Sequence, residues 1–291
     1  VFKCRANSKI MEQALPLTDA MFPGPKVVSG ADSAKKIPEV LKELNVNKVM
    51  IVTGPTVGRT IVPPIAENLE RHGIGYTIYD QVVVIPVSTL DEAVKTVEAI
   101  RAQYLENGCD GFLAIGGGSP MDAAKAAAAR VAKPNTPIGK MAGLMKVMIK
   151  VAPIVAVPTT SGTGSEVTMG AVISDHDERH KYAIMDPNLV PKYAVLDPKL
   201  TVSMPKFVTA TTGIDALTHA VESYVTWAYN NNASNRNAEE AVVKIFRNLK
   251  RAYEDGNDLE AREAMLIASY KAGLAFNHTG VGYVHAIAHA M

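Results

Sequence analysis

Cysteine is scarce in this chain, and its cysteines do not form a paired motif. The 291 residues hold two, Cys4 and Cys109. Their placement argues against a disulfide framework and a thiolate zinc site, and it fits a reducing compartment such as the cytoplasm. An excess of charge of one sign is also missing. The 30 basic residues stand against 29 acidic ones, a formal net charge of +1. No broad basic face follows, so nucleic acid is a poor candidate partner. No apolar run approaches the length of a membrane span. The opening segment, up to Phe22-Pro23-Gly24-Pro25, alternates polar and apolar residues and is unlike a secretory leader.

Hydrophobic residues make up 47% of the chain and charged residues 20%. That balance suits a globular protein, and the length allows one or two domains with a large core. The pattern divides in two. In the first half strands and helices alternate. Lys48–Thr53 (KVMIVT), ended by Gly54-Pro55, reads as a buried strand, and Gly75–Val84, Phe112–Ile115 and Pro153–Val157 as further ones. Shorter strands are predicted at Ala171–Ser174, Tyr182–Met185 and Ala194–Leu196. Helices are predicted at Ile61–His72, Leu90–Glu106 and the alanine-rich Ser119–Ala132. This alternation predicts an α/β fold with a parallel sheet covered by helices. After Pro205 the pattern becomes helical, with Val208–Thr226, Ala238–Tyr253 and Leu259–Phe276 separated by turn residues. We therefore expect an α/β domain over 1–205 and a helical one over 206–291.

Three constellations carry chemistry. In Ala114-Ile115-Gly116-Gly117-Gly118-Ser119-Pro120-Met121-Asp122 a buried strand runs into three glycines and then a helix. Ser119 is expected as the N-cap, Pro120 as the first helical residue and Asp122 as the partner in a capping box. Glycines let a ligand approach the backbone, and the positive helix end suits a pyrophosphate. The same glycines could equally serve backbone geometry alone, and the run is neither GxGxxG nor a Walker loop. The second, Val157-Pro158-Thr159-Thr160-Ser161-Gly162-Thr163-Gly164-Ser165-Glu166, follows another strand and should lie at the carboxyl edge of the sheet. Its small hydroxyls can bond a ribose or a phosphate, although an ordinary Ser/Thr/Gly turn would read the same. The third pairs Asp215 with His219 and His285 with His289, each four apart and so on one helix face. Two such pairs can aim three or four donors at one point, which is how helices build a divalent-metal site. Taken singly, Asp215 also reads as a charge near a helix start, and His219, His278, His285 and His289 as ordinary satisfied histidines. Thr218, Glu222 and Tyr283 are candidate partners behind the ligands.

Taken in order, Gly116-Gly117-Gly118-Ser119 with Asp122, then Pro158 to Glu166, then Thr212-Gly213-Ile214-Asp215-Ala216-Leu217-Thr218-His219-Ala220-Val221-Glu222, then His285-Ala286-Ile287-Ala288-His289 resemble the iron-dependent (group III) alcohol dehydrogenases. The likeness runs from about Phe22 to the last residue. The segments around Tyr79-Asp80 and Asn107–Lys125 look most like butanol and propanediol dehydrogenases and the alcohol dehydrogenase half of bifunctional aldehyde-alcohol dehydrogenases. The resemblance implies a Rossmann-like N-terminal domain, an all-helical, dehydroquinate synthase-like second domain, and an active site in the cleft between them. It implies an oxidoreductase, a homo-oligomer, that moves a hydride between a primary alcohol or its aldehyde and NAD or NADP. It implies Fe²⁺, or Zn²⁺, held by Asp215, His219 and His285, with His289 beside the nicotinamide as a proton relay. Cofactor contacts are implied at Gly54, Gly116, Gly117, Gly118, Ser119, Asp122, Thr159, Thr160, Thr163 and Lys181. NAD-preferring relatives carry an aspartate where Gly54 stands, and its absence lifts a repulsion against a 2′-phosphate, a lean toward NADP. The family's fourth ligand is a histidine in a Pro-His-Gly segment that this sequence does not reach before Met291. The metal site and the helical domain are therefore expected to be incomplete. Two other readings stand beside this one: a truncated, non-catalytic nucleotide-binding fragment or pseudoenzyme, and glycerol dehydrogenase-like polyol oxidation.

Overall fold

Alternation within the strands decides the architecture. In Lys48–Val52 (β2), Val49 and Ile51 enter one core, and Met50 and Val52 enter another. Gly111–Gly116 (β4) divides Leu113 and Ile115 from Phe112 and Ala114 in the same way. Ile154–Pro158 (β6) divides Val155 and Val157 from Ile154 and Ala156. Side chains alternate faces along a strand, so a strand apolar at every position must be covered on both sides. Each fully buried Val, Leu or Ile stabilises by about 1.5–3 kcal/mol. Helices Ile37–Glu43 (α1) and Val62–Arg71 (α3) cover one face, and Leu90–Glu106 (α4) and Gly118–Ala132 (α5) the other.

The computed structural model describes residues 24–82, 90–175, 180–226 and 229–290, with the backbone alone at 90–91, 174–175, 180–182 and 289–290. Six parallel strands form the main sheet in the order β1-β9-β6-β4-β2-β3, where β1 is Lys26–Ser29, β3 Gly75–Tyr79 and β9 Tyr193–Leu196. The chain leaves β2 for β3 on one side and then crosses to β4 on the other side of β2. The connections after β2 and β4 therefore diverge, and a crevice opens beyond their carboxyl ends. A small second sheet sets Gly143–Leu144 (β5) beside His180–Met185 (β8), which pairs antiparallel with Gly170–Asp175 (β7).

The chain turns helical with Lys206–Val225 (α6), Asn232–Glu254 (α7), Leu259–Thr279 (α8) and Tyr283–Ala290 (α9). α6, α7 and α8 pack along seams of small residues, among them Ala216, Ala220, Ala238, Ala241, Ala268 and Ala272. Among the described residues no helix is long and apolar enough to cross a membrane.

Element types match the sequence expectations, and the differences have local causes. The helix expected from Ile61 is preceded by a separate short helix, Pro55–Thr60 (α2). Pro63 and Pro64 open α3 and lack the N–H groups that would join the two. α7 starts six residues before the expected Ala238, because Asn231 and Ser234 close a capping box there. The strand expected over Gly75–Val84 ends at Tyr79, and Val83 and Val84 lie outside the described residues. β1, β5 and α1 are too short, at 4, 2 and 7 residues, to show a period of their own.

Candidate metal centre and nucleotide crevice

The glycine run lies at the crevice. β4 ends on Gly116 at φ +150°, where a Cβ would also stand 2.7 Å from Pro120 Cγ, so only glycine fits. α5 begins at Gly118 with Gly117 as N-cap and no side-chain cap. This corrects two expectations. Ser119 and Pro120 lie inside the first turn rather than at the cap and N1, and Asp122 closes no capping box. Asp122 instead faces the second loop, where Oδ1 accepts from Ser165 Oγ at 2.8 Å and Oδ2 from Val172 N at 3.1 Å. Burial pushes its carboxyl up, against the pull of Lys125. The leading N–H groups of α5 keep the open, electropositive end that suits an anion.

The two loops touch. Thr159 N donates to Gly116 O at 2.9 Å. A Cβ on Gly117 would stand 3.2 Å from Thr160 Oγ1, and one on Gly118 3.0 Å from Thr163 Cγ2. Gly54, after β2, is extended and caps α2, and a Cβ there would lie 3.0 Å from Val82 O. Of the residues expected to contact the cofactor, the structure brings together Gly116, Gly117, Gly118, Thr159, Thr160 and Thr163. Asp122 supports them from behind, and Gly54 borders the same crevice from β2. Lys181 lies in β8, and its side chain is outside the described residues.

The second loop also meets the helices. A Cβ on Gly162 would stand 2.6 Å from Thr212 Cβ and 2.8 Å from its carbonyl oxygen, on α6. Gly164, at φ +63°, lies against Gly273 of α8, where a Cβ would meet the Gly273 Cα at 2.7 Å. These close approaches bring α6 to the crevice.

Asp215 lies roughly two and a half turns into α6, so it is not a helix-start charge. His219 follows one turn later, and α9 brings in His285. One donor atom from each of the three lies within 4.8 Å of the others. His285 Nε2 is 3.5 Å from Asp215 Oδ1, and His219 Nε2 is 3.9 Å from the same oxygen. The two imidazoles stack with centroids 4.3 Å apart, and Phe276 stacks on the other side of His219 at 4.2 Å.

Glu222, one turn on from His219, organises α9. It accepts from Gly282 N at 2.8 Å, Val284 N at 2.6 Å and His285 Nδ1 at 2.5 Å. A carboxylate only accepts, so Nδ1 carries a proton toward Glu222, and the ring is held with Nε2 turned toward Asp215. Of the three candidate partners, Glu222 alone stands behind a ligand. Thr218 Oγ1 donates to Ile214 O within its own helix, and Tyr283 is exposed.

Burial pushes the His219 imidazole down to about 4, against the pull of Asp215, with the Gly162 backbone a lesser influence toward protonation. Among the described residues its buried Nδ1 has no hydrogen-bond partner. For His285 the Asp215 hydrogen bond, partly offset by burial and reinforced by Glu222, raises the pKa. The fit to a divalent cation is good: one carboxylate oxygen and two Nε2 atoms converge, and burial favours neutral His219, the form that binds a metal. His289 sits one turn after His285 in α9, with its side chain outside the described residues, and His278 lies in the last turn of α8.

Sequence reasoning passed over Lys125 and treated Glu166 only as part of a loop, yet both are buried. Lys125 could have been found: a single cation inside Ala123-Ala124-Lys125-Ala126-Ala127, on a helix covering a sheet, must find its partners indoors.

A doubly wound sheet whose switch-point crevice meets an Asp-His-His cluster on a helical bundle has the architecture of a metal-dependent, nucleotide-linked dehydrogenase. The comparisons agree. The family model described as iron-containing alcohol dehydrogenase matches residues 24–198, and that of the family's C-terminal part matches residues 209–291. The chain belongs to the iron-containing alcohol dehydrogenase family. It is 36% identical over 274 residues to an NAD-dependent methanol dehydrogenase of Bacillus methanolicus, covering 94% of this chain and 70% of that protein. It is 40% identical over 237 residues to the probable alcohol dehydrogenase EutG of Escherichia coli, covering 81% of this chain and 56% of that one. Its fold superposes on a 1,3-propanediol oxidoreductase with a TM-score of 0.85 at 33% identity, over 92% of this chain and 69% of that one. This chain thus spans between about half and about two thirds of these relatives' lengths. Neither the site nor these relatives favour the polyol-oxidising or the non-catalytic reading.

Proposed function

We propose that this chain carries the nucleotide and metal sites of an NAD(P)-dependent alcohol dehydrogenase acting on a small primary alcohol and its aldehyde. The observation that carries the reading is the convergence of Asp215, His219 and His285 within 4.8 Å, with the helix of Asp215 and His219 seated against the loop at the crevice.

Asp215, His219 and His285 would hold Fe²⁺ or Zn²⁺, and both ions accept this mixed oxygen and nitrogen set. Such an ion would supply a Lewis acid for the alcohol or carbonyl oxygen, and a bound nicotinamide would supply the hydride chemistry. The chain's own groups do the rest. Gly117, Gly118 and Ser119, at the open end of α5, bind the pyrophosphate through backbone N–H groups. Thr159, Thr160 and Lys181 line the ribose and nicotinamide, with Thr163 packed beneath the turn. Glu222 fixes the His285 ring, and Phe276 covers one face of His219 and keeps water from it. His289, one turn past His285, carries the proton between the substrate oxygen and solvent. Gly54 sets no carboxylate against a 2′-phosphate at the adenosine ribose, and we infer a lean toward NADP. Self-association and a cytoplasmic setting complete the reading.

The test is metal analysis together with alcohol-dependent cofactor reduction. The 291-residue chain is expected to hold iron or zinc in stoichiometric amount and to reduce the cofactor with short alcohols in preference to glycerol. His219→Ala is expected to lose metal and turnover together. Full turnover by a metal-free His219→Ala protein would end the reading.

A further inference from the structure

Lys125 lies on α5, about two turns beyond the glycine run, and its side chain is fully buried. Its Nζ lies 2.7 Å from Ser165 O, 3.0 Å from Ser165 Oγ, 2.9 Å from Thr168 O, 3.3 Å from Thr168 Oγ1 and 2.8 Å from Gly170 O. The three ammonium protons are shared among these acceptors, and all five belong to residues 165–170. Ser165 Oγ, which accepts from Lys125, donates in turn to Asp122 Oδ1 at 2.8 Å. Asp122 and Glu166 are the charged groups that face the ammonium.

Residues 159–170 touch both the glycine turn and the helices. Thr160 and Thr163 lie against Gly117 and Gly118, while Gly162 and Gly164 lie against α6 and α8. Met169 N donates to Asn277 Oδ1 of α8 at 3.0 Å. Burying an ammonium is costly, and an apolar side chain of similar length is often no less stable at such a place. A methionine there would leave several inward-facing oxygens without a donor, and the segment would have to move to satisfy them.

We propose that Lys125 is a positioning residue: it holds residues 159–170 in the conformation that sets Thr160 and Thr163 on the glycine turn and seats the helix bearing Asp215 and His219. The nucleotide part of this inference rests on the function proposed above, and the loop part stands alone.

The experiment compares the wild-type chain with Lys125→Met, with Ser165→Ala as a milder variant, and with Leu41→Ala in the core on the far face of the sheet. Two quantities are read: the NADH dissociation constant by fluorescence, and amide exchange at Val167 and Met169, whose N–H groups bond Gly164 O and Asn277 Oδ1. Lys125→Met is expected to weaken NADH and to speed exchange at both amides, each by about tenfold or more. Ser165→Ala should do the same by a few-fold and decides the matter if Lys125→Met does not fold. Leu41→Ala should lower the melting temperature and leave both quantities as in the wild type. Wild-type exchange at these amides in Lys125→Met would overturn the proposal, as would an equal change in Leu41→Ala. If the wild type binds neither NADPH nor NADH, the function reading falls, and amide exchange still decides the role of Lys125.

Discussion

The nucleotide crevice and the metal centre are built from opposite materials. The crevice is a place where side chains are missing: Gly117 and Gly118 open α5 with no side-chain cap over its leading N–H groups, and Gly54 lies close under Val82 O at the end of β2. The metal centre is made of side chains alone, with Asp215, His219 and His285 converging and Glu222 behind them. An absence is tolerant chemically but strict sterically, and a ligand set is the reverse. A methyl group added at the crevice should therefore disturb shape, and a charge removed at the metal centre should disturb affinity. The two sites should fail separately except where residues 159–170 join them.

The largest effect should come from breaking that junction. In Gly162→Ala the new methyl would sit 2.8 Å from the Thr212 carbonyl, a backbone atom that cannot rotate away. We expect a stability loss of about 3 kcal/mol and weakened binding of both metal and nucleotide. Gly117→Ala meets only the Thr160 side chain, at 3.2 Å. It should cost about 1 kcal/mol or less and weaken nucleotide alone. Thermal melts with separate metal and nucleotide titrations check both, and two variants with the same profile would erase the distinction between the sites.

Next comes the support behind the metal. In Glu222→Gln one oxygen can still accept, but the amide nitrogen cannot, and the charge that attracts the Nδ1 proton of His285 is gone. Loss of a ligand's orienting carboxylate commonly costs about 10- to 100-fold in metal affinity. We expect that range for iron or zinc, with nucleotide binding in the metal-free protein unchanged. A parallel loss of nucleotide would show that α9 supports both sites.

These two predictions also mark what could be read from the sequence. The i,i+4 pairs expose themselves because a helix repeats every 3.6 residues, so Asp215 with His219 and His285 with His289 were legible as neighbours, and the family resemblance named Asp215, His219 and His285 as the ligands. The parallel sheet was legible because strands and helices alternate along the first half of the chain. What stayed hidden was contact between distant segments. Nothing local says that Gly162 and Gly164 meet Thr212 and Gly273, because a glycine in a turn and a glycine under a helix look alike. Asp122 was placed in a capping box by its spacing, and it turned inward because Ser165 and Val172 wait there.

A smaller effect should appear in the pH dependence of stability. Burial lifts the Glu166 carboxyl to about 7 from the usual 4.5, and Oε1 has no hydrogen-bond partner among the described residues. A raised carboxyl binds more protons folded than unfolded between those values, so folding loses stability as pH rises from about 4.5 to about 7. Glu166→Gln keeps the shape and removes the proton. It should flatten the melting temperature over that window and stabilise the protein above pH 7, by about 2 kcal/mol. Unchanged curvature would mean that the carboxyl titrates as it does in water. Because Glu166 lies in the junction, nucleotide binding at pH 8 should also shift slightly, which a crevice residue outside it would not show.

The smallest effect sharpens the crevice itself. Gly54→Asp places a carboxylate at the end of β2, where it can accept from an adenosine ribose and repel a 2′-phosphate. The new Cβ would stand 3.0 Å from Val82 O, so the strand end must give by a few tenths of an ångström. We expect a stability cost of under about 1 kcal/mol and a shift of about tenfold in the ratio of NADPH to NADH affinity, toward NADH. Metal binding should not move, since Gly54 reaches neither α6 nor α9. An unchanged ratio would put the adenosine ribose somewhere other than the end of β2. The crevice would then be a phosphate site whose nucleoside end is set by the connection after β3.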